Sequence, residues 1–162
     1  MNGRLLGIVV TLLAVSATRL ASEGSVPRQL DGKDGPRQIA IVVNKNNPTK
    51  SASKAELQRI FLKKQAKWSD GSPITVLERT ASDPIKTKFS DLVLEMTQAE
   101  LTEYWLNLKL TRGISAPESY ASARLVTRYI ERAQGAVGYM WAHEVGESLK
   151  VIARLDVESD GK

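Results

Sequence analysis

The turn from Glu78 to Lys86 is where this sequence offers a place for a charged ligand. It joins the apolar run Ile74-Thr-Val-Leu77 to Asp83-Pro84, which reads as a helix N-cap followed by proline at the first helical position. Unpaired backbone N–H groups and the helix dipole favour negative charge at such a junction. Lys86 and Lys88 fall in the first turns of the predicted helix, where a cation is unfavourable by about 0.3–1 kcal/mol, and an anion nearby would reverse that cost. The simpler reading is an Asp83 cap with both lysines in water and no ligand. Pro84 has no N–H to offer, and the Asp83 carboxylate opposes an anion.

Covalent and metal chemistry have less to work with. The 162 residues contain no cysteine and a single histidine, His143, and they show neither a metal-ligand cluster nor a glycine-rich phosphate loop. Any serine nucleophile would have to be activated by His143 alone, and a surface histidine is the simpler account of that residue. No cofactor, no metal site and no enzymatic activity are expected.

The elements that would position the turn are legible on either side of it. Ile39-Ala-Ile-Val-Val43 is short and β-branched, as a strand covered on both faces should be, and Asn44-Lys-Asn-Asn-Pro48 stops it. Ser53-Lys-Ala-Glu56 reads as a capping box that opens a helix with Leu57, Ile60 and Phe61 on one face. Lys67-Trp-Ser-Asp-Gly71 supplies a turn, and Ile74–Leu77 returns as a strand. A helix is predicted from Pro84 with Ile85, Phe89, Leu92, Val93 and Met96 inward, and a second from the capping box Thr97-Gln-Ala-Glu100 with Leu101, Tyr104, Trp105 and Leu108 inward. After a loop from Thr111 to Pro117, a third carries Leu125, Val126, Tyr129 and Ile130 on its apolar side and stops at Gly135. Its Arg124, Arg128 and Arg132 share one stripe, most simply a solvated face. Ala136–Trp141 and the alternating Leu149, Val151, Ala153 and Leu155 complete the strands. The pattern predicts a single-domain α/β layer fold with a central sheet of about four or five strands.

Val43, Asn44, Lys45, Asn47 and Pro48, then Leu57, Ile60 and Phe61, then Trp68, Asp70, Gly71, Pro73 and Ile74, keep the order and spacing of a segment in phosphate-type periplasmic solute-binding proteins of ABC transporters. Gly135-Ala-Val-Gly-Tyr139 echoes a later strand entry of the same family, and the resemblance covers about residues 39 to 155. It implies a type 2 periplasmic-binding-protein-like fold and a non-enzymatic binder of phosphate or another small oxyanion, with ABC transporter membrane components as partners. It also implies the site. The family's turn carries Arg, then Ser-Gly-Thr, then often a basic residue and an inward Phe; here Arg79, Lys86 and Phe89 fit. The Ser-Gly-Thr slots hold Asp83, Pro84 and Ile85, so the hydroxyls would come from Thr80 and Ser82, shifted by a residue. The anion candidates are therefore Arg79, Thr80, Ser82 and Lys86. The family's N-terminal glycine- and serine-rich loop has no counterpart, so the chain reads as a short single-domain relative.

Size and charge set the remaining expectations. Residues 1–17 have the shape of a signal peptide, with Arg4, an apolar run shorter than the roughly 20 residues of a spanning helix, and Val15-Ser16-Ala17 before a cleavage point. Residues 18–38 read as a flexible leader, 39–156 as the domain and 157–162 as a tail, which places the mature chain in the periplasm or outside the cell. From Ile39 to Leu155 there are 17 Lys or Arg against 12 Asp or Glu, so the basic bias belongs to the domain. The block lacks interleaved aromatics and any nucleic-acid motif, so nucleic acid is not an expected partner. The rival to oxyanion capture is an envelope protein-protein interaction module that has lost the ligand site, using a surface such as the lysine-rich first helix. Dimerisation could restore a cleft, but nothing in the sequence bears on the oligomeric state.

Overall fold

The computed structural model describes residues 37–157. The signal segment 1–17, residues 18–36 of the leader and residues 158–162 of the tail lie outside the described residues. Five strands, β1 (Arg37–Asn44), β2 (Thr75–Arg79), β3 (Glu118–Tyr120), β4 (Ala136–Trp141) and β5 (Leu149–Val157), form one mixed sheet in the order β3-β2-β4-β1-β5. β2 runs parallel to both β3 and β4, whereas β1 is antiparallel to both β4 and β5. The α/β layer fold expected from the sequence is the fold observed.

Four helices cover the sheet: α1 (Lys54–Phe61), α2 (Pro84–Phe89), α3 (Gln98–Arg112) and α4 (Ala123–Arg132). Alternation along β1 divides the core in two. Ile39, Ile41 and Val43 join Leu57, Ile60, Phe61, Phe89, Val93 and Tyr139 on the α1 to α3 side, while Ala40 and Val42 join Val126, Ile130 and Met140 under α4. All five of these β1 residues are fully buried, as a strand covered on both faces requires. Each large side chain so placed contributes about 1.5–3 kcal/mol of transfer free energy, which makes β1 the axis of the core.

The starts of α1, α2 and α3 are the predicted ones, whereas α4 begins at Ala123 rather than directly after Pro117, because Glu118–Tyr120 pairs with β2 as β3. Ser53 and Thr97 each accept from the backbone N–H of the third helical residue, Glu56 and Glu100, whose carboxylates return to the cap N–H. Asp83 caps α2 with Pro84 at its first position. Several ends and edges differ from the sequence reading. β1 begins at Arg37, two residues inside the expected leader, because its pairing with β5 extends to Arg37↔Val157. α2 stops at Phe89 and passes into a π-helical turn, Ser90–Leu94, that ends with Glu95 at φ 55°. α3 runs to Arg112 and ends on Gly113 at φ 69°, so Thr111 and Arg112 are helical rather than loop. α4 ends at Arg132, not Gly135. Gly135 has another duty: its carbonyl accepts from Trp68 Nε1 and the Thr75 N–H, and a Cβ there would meet the Pro73 carbonyl oxygen at 2.1 Å. Leu125, expected on the apolar side of α4, is 42% exposed.

The asparagine-rich stop after β1 is a structural rivet. Asn44 donates through Nδ2 to the carbonyls of Ile130 (2.7 Å) and Glu131 (3.1 Å), satisfying groups that the end of α4 leaves open. Its Oδ1 accepts from the Asn46 N–H, and Asn47 repeats the device with Thr49 and donates to the Gln134 carbonyl. One turn thus ties β1 to the α4–β4 connection.

Candidate functional site

β2 delivers two charged residues into a buried position. Its pattern Val76-Leu77-Glu78-Arg79 is buried throughout, and strand alternation places Glu78 on the same face as Val76, toward α2. Lys86, on the first turn of α2, reaches back and donates to Glu78 Oε2, and both side chains are buried. Two charges taken out of water hold together only as a pair, since either one alone would be an uncompensated buried charge. Lys86 is therefore not the solvated surface lysine of the simpler sequence reading.

Arg79, the last residue of β2, is 5% exposed. Its backbone N–H donates to the Tyr139 hydroxyl at 3.3 Å, and Tyr139 stacks on Phe89 with ring centroids 4.0 Å apart and planes 4° from parallel. Phe61 closes the cluster against Phe89 at 4.6 Å. Burial, then the Glu78 carboxylate, hold the Tyr139 hydroxyl well above its ordinary pKa, so it stays protonated beside Arg79. The aromatic cluster thus fixes where the guanidinium leaves the strand.

That guanidinium faces carboxylates of its own chain. Nη2 donates to Asp83 Oδ2 at 2.5 Å, and Glu144 Oε2 lies 3.5 Å from Nη1, an electrostatic contact beyond hydrogen-bond geometry. Nε and Nη1 make no hydrogen bond among the described residues, and neither does Glu78 Oε1. Glu144 is oriented by the Trp141 N–H, which donates to its Oε2 at 3.0 Å. Two cations, Arg79 and Lys86, therefore face three carboxylates, Glu78, Asp83 and Glu144.

The backbone donors at the mouth of α2 are also engaged. Ile85 donates to Asp83 Oδ1, Lys86 to the Asp83 carbonyl and Asp83 to the Thr80 carbonyl, while Pro84 has no N–H. Of the four anion candidates, Arg79 and Lys86 come together under the turn, each on a carboxylate. The hydroxyls of Thr80 and Ser82 lie 3.3 Å apart at the surface of the turn, Thr80 half-buried and Ser82 exposed. Glu78 and Glu144 are members of the site that sequence reasoning missed. A Glu-Arg pair ending an apolar strand was the available signal for Glu78, whereas nothing local marks Glu144, which arrives from beyond β4. His143 is exposed in the short 3-10 turn after β4, away from any nucleophile pairing, and among the described residues no group of three or more metal-ligating side chains comes together. No helix there is long and apolar enough to cross a membrane.

A family model described as a PBP superfamily domain matches residues 36–162. The chain belongs to the PBP superfamily. No curated protein matches it. Solved structures similar to this PBP superfamily chain include an ABC-type phosphate transport receptor from Vibrio cholerae, at 23% identity and a TM-score of 0.59 over 72% of this chain and 45% of that one. A putative phosphate ABC transporter substrate-binding protein with bound phosphate, from Clostridium perfringens, aligns at 19% identity and 0.59 over 72% and 44%. PstS from Borrelia burgdorferi aligns at 11% and 0.56 over 72% and 47%. At these identities the likeness establishes the fold: the described sheet and helices resemble one lobe of these proteins, and the chain spans less than half the length of each.

Proposed function

We propose that this chain is an exported, non-catalytic binding module of the phosphate-transport type in which Asp83 takes the place of the oxyanion on Arg79, so that the module works through contact with an envelope protein rather than by capturing free phosphate. The single observation that carries this reading is the 2.5 Å contact between Arg79 Nη2 and Asp83 Oδ2 beneath a turn whose other cation, Lys86, is bound to Glu78. A carboxylate held at four residues' distance is present at an effective concentration that a dissolved anion does not match. An incoming phosphate would also meet the fields of Glu144 and Glu78, and it would find the Ile85 and Lys86 N–H groups already used. Among the partners, ABC transporter membrane components are the class that the family resemblance implies, and the similar structures are described as ABC-type phosphate receptors and substrate-binding proteins.

A second reading, direct capture of phosphate or a similar oxyanion, is favoured by one specific observation. Arg79 keeps two guanidinium nitrogens without hydrogen bonds, with the Thr80 and Ser82 hydroxyls on the same turn, so an anion that displaced Asp83 would gain donors. Calorimetric titration of the full chain with phosphate and with sulfate separates the two. The self-paired turn predicts no saturable heat from the unsubstituted protein and measurable phosphate binding by Asp83→Asn, which keeps a capping side chain but releases the arginine. Micromolar phosphate binding by the unsubstituted protein would establish the second reading instead.

A further inference from the structure

The arginine stripe of α4 borders a groove whose lining includes no residue of the Arg79 turn, although the Tyr120 carbonyl accepts from the Thr80 N–H. Tyr120, Leu125, Arg128, Tyr129, Arg132 and Ala133 line a hollow of about 520 Å³ between α4 and the short edge strand β3. Two ridges of the helix run side by side there. Leu125 and Tyr129, one turn apart, make the apolar ridge, and Arg124, Arg128 and Arg132, all exposed, make the cationic one. α4 carries these three arginines against one acid, Glu131, and among the described residues none of the three has an ion pair. This differs from Arg79 and Lys86, both paired internally, and from Lys54 and Lys63 of the lysine-rich region, which are held by Glu95 and by the Ser115 carbonyl. The positive charge of α4 thus lies beside an exposed leucine and two tyrosines.

The floor of the groove is shaped rather than flat. Tyr120 and Tyr129 are tilted against each other with ring centroids 5.9 Å apart, and the Tyr120 hydroxyl donates to Glu118 Oε2 at 2.8 Å. Burial and then that hydrogen bond push the Tyr120 hydroxyl pKa up to about 12. Glu118 Oε2 is thereby engaged. A second hollow, of about 370 Å³, lies against Thr75, Val76 and Leu77 of β2 and shares Tyr129 with the first. Tyr129 therefore lines two depressions, the second beside the part of β2 that β3 leaves unpaired, since β3 covers only Leu77 to Arg79.

The geometry points to this groove as the docking site for an acidic segment of a protein partner, one that sets an apolar side chain beside Tyr129 and carboxylates on Arg128 and Arg132. Charge complementarity selects the acidic partner, and planar guanidinium groups accept carboxylates in a bidentate manner. The concavity favours a peptide over an anionic bilayer, because a membrane surface would contact the rim arginines but fill neither hollow. This assignment rests on the reading of the chain as a contact module and names the surface that the module uses.

Selection of a phage-displayed library of random 16-residue peptides against the full chain tests it. Enriched peptides are expected to carry Asp or Glu together with an aliphatic or aromatic residue. Measured as synthetic peptides by fluorescence anisotropy, they should bind at least about tenfold more weakly to Arg128→Glu/Arg132→Glu and to Leu125→Asp. Lys109→Glu/Arg112→Glu on α3, which makes the same change in net charge, should leave affinity within about twofold, and circular dichroism melts should show that all variants fold. No enrichment, enrichment of peptides without acids, or binding unchanged in the α4 variants would each overturn the docking site. Binding to phosphatidylglycerol vesicles that the α4 variants abolish, with no peptide selected, would also overturn it in favour of lipid. Peptides that bind but ignore the α4 substitutions would leave the contact-module reading standing and remove only this surface, while that reading falls separately by the phosphate titration.

Discussion

Two polar turns, Asn44–Pro48 after β1 and Arg79–Asp83 after β2, leave the sheet, and the fold uses them in opposite ways. The first spends neutral amides on backbone carbonyls, with Asn44 closing the end of α4 and Asn47 reaching Gln134. The second spends full charges on each other, with Arg79 on Asp83 and Lys86 on Glu78. A neutral rivet loses about 1–3 kcal/mol when removed, because the carbonyls it served go unsatisfied. A buried charge that loses its partner costs more, because the survivor has no water. One polar turn is therefore a scaffold joint and the other a closed electrostatic circuit.

The largest effect should come from opening that circuit. Lys86→Met strands Glu78 in the core and should lower unfolding free energy by about 3–5 kcal/mol in urea titration, whereas Glu78→Gln combined with Lys86→Met should recover most of the loss. A double-mutant cycle with no coupling between the two positions would show that the pair is not buried as described. Next in size, Asn44→Ala should cost about 1–3 kcal/mol, and native-state hydrogen exchange should show the end of α4 opening first. Because an amide does not titrate, that loss should be the same at pH 7 and pH 5. Gly138→Ala probes the packing between the two turns: its Cβ would meet Val126 Cγ1 at 2.7 Å, so a loss of about 1–3 kcal/mol is expected, less if Val126 can turn aside.

The smallest effect concerns acid. Hydrogen bonds from the Ser53 and Thr97 backbone N–H groups, followed by those from their hydroxyls, hold the carboxyls of Glu56 and Glu100 below their ordinary pKa. A carboxyl depressed on folding contributes stability that is fully present above its unfolded value and is lost as pH falls through the folded one. Glu100→Gln should therefore flatten the fall of thermal midpoint below about pH 4.5 without altering the midpoint's pH dependence between 6 and 8. An unchanged acid slope would remove Glu100 from that account.

The legibility of the sequence tracks how local the deciding interactions are. The strand Ile39–Val43, the two capping boxes, Pro84 at the start of α2 and the Trp68–Gly71 turn were readable because each is specified within a few residues. β3 was not, since Glu118-Ser-Tyr120 has no strand pattern and becomes a strand only by lying along Leu77–Arg79. Gly135 looked like a helix stop, but its constraint is the Pro73 carbonyl, far away in sequence. At the turn, residue type and resemblance nominate Arg79, Thr80, Ser82 and Lys86. Their pairing was hidden, because Glu144 enters from after β4 and Lys86 is buried only where α2 folds back onto Glu78 of β2. Residue type announced charge, whereas the partner of each charge is a property of the tertiary fold.

The strand order has a kinetic consequence. β1, the axis of both halves of the core, lies between β4 and β5, which are the last strands in the sequence. During synthesis, or during any passage in which the N-terminal half emerges first, β1 has neither hydrogen-bonding neighbour, and its five buried apolar residues have no sheet to enter. Such long-range pairing makes folding slow and nearly all-or-none. β1 gains its hydrogen-bonding neighbours only when the C-terminal strands arrive, and a product truncated before Leu149 would leave the β1 edge open to a neighbouring chain.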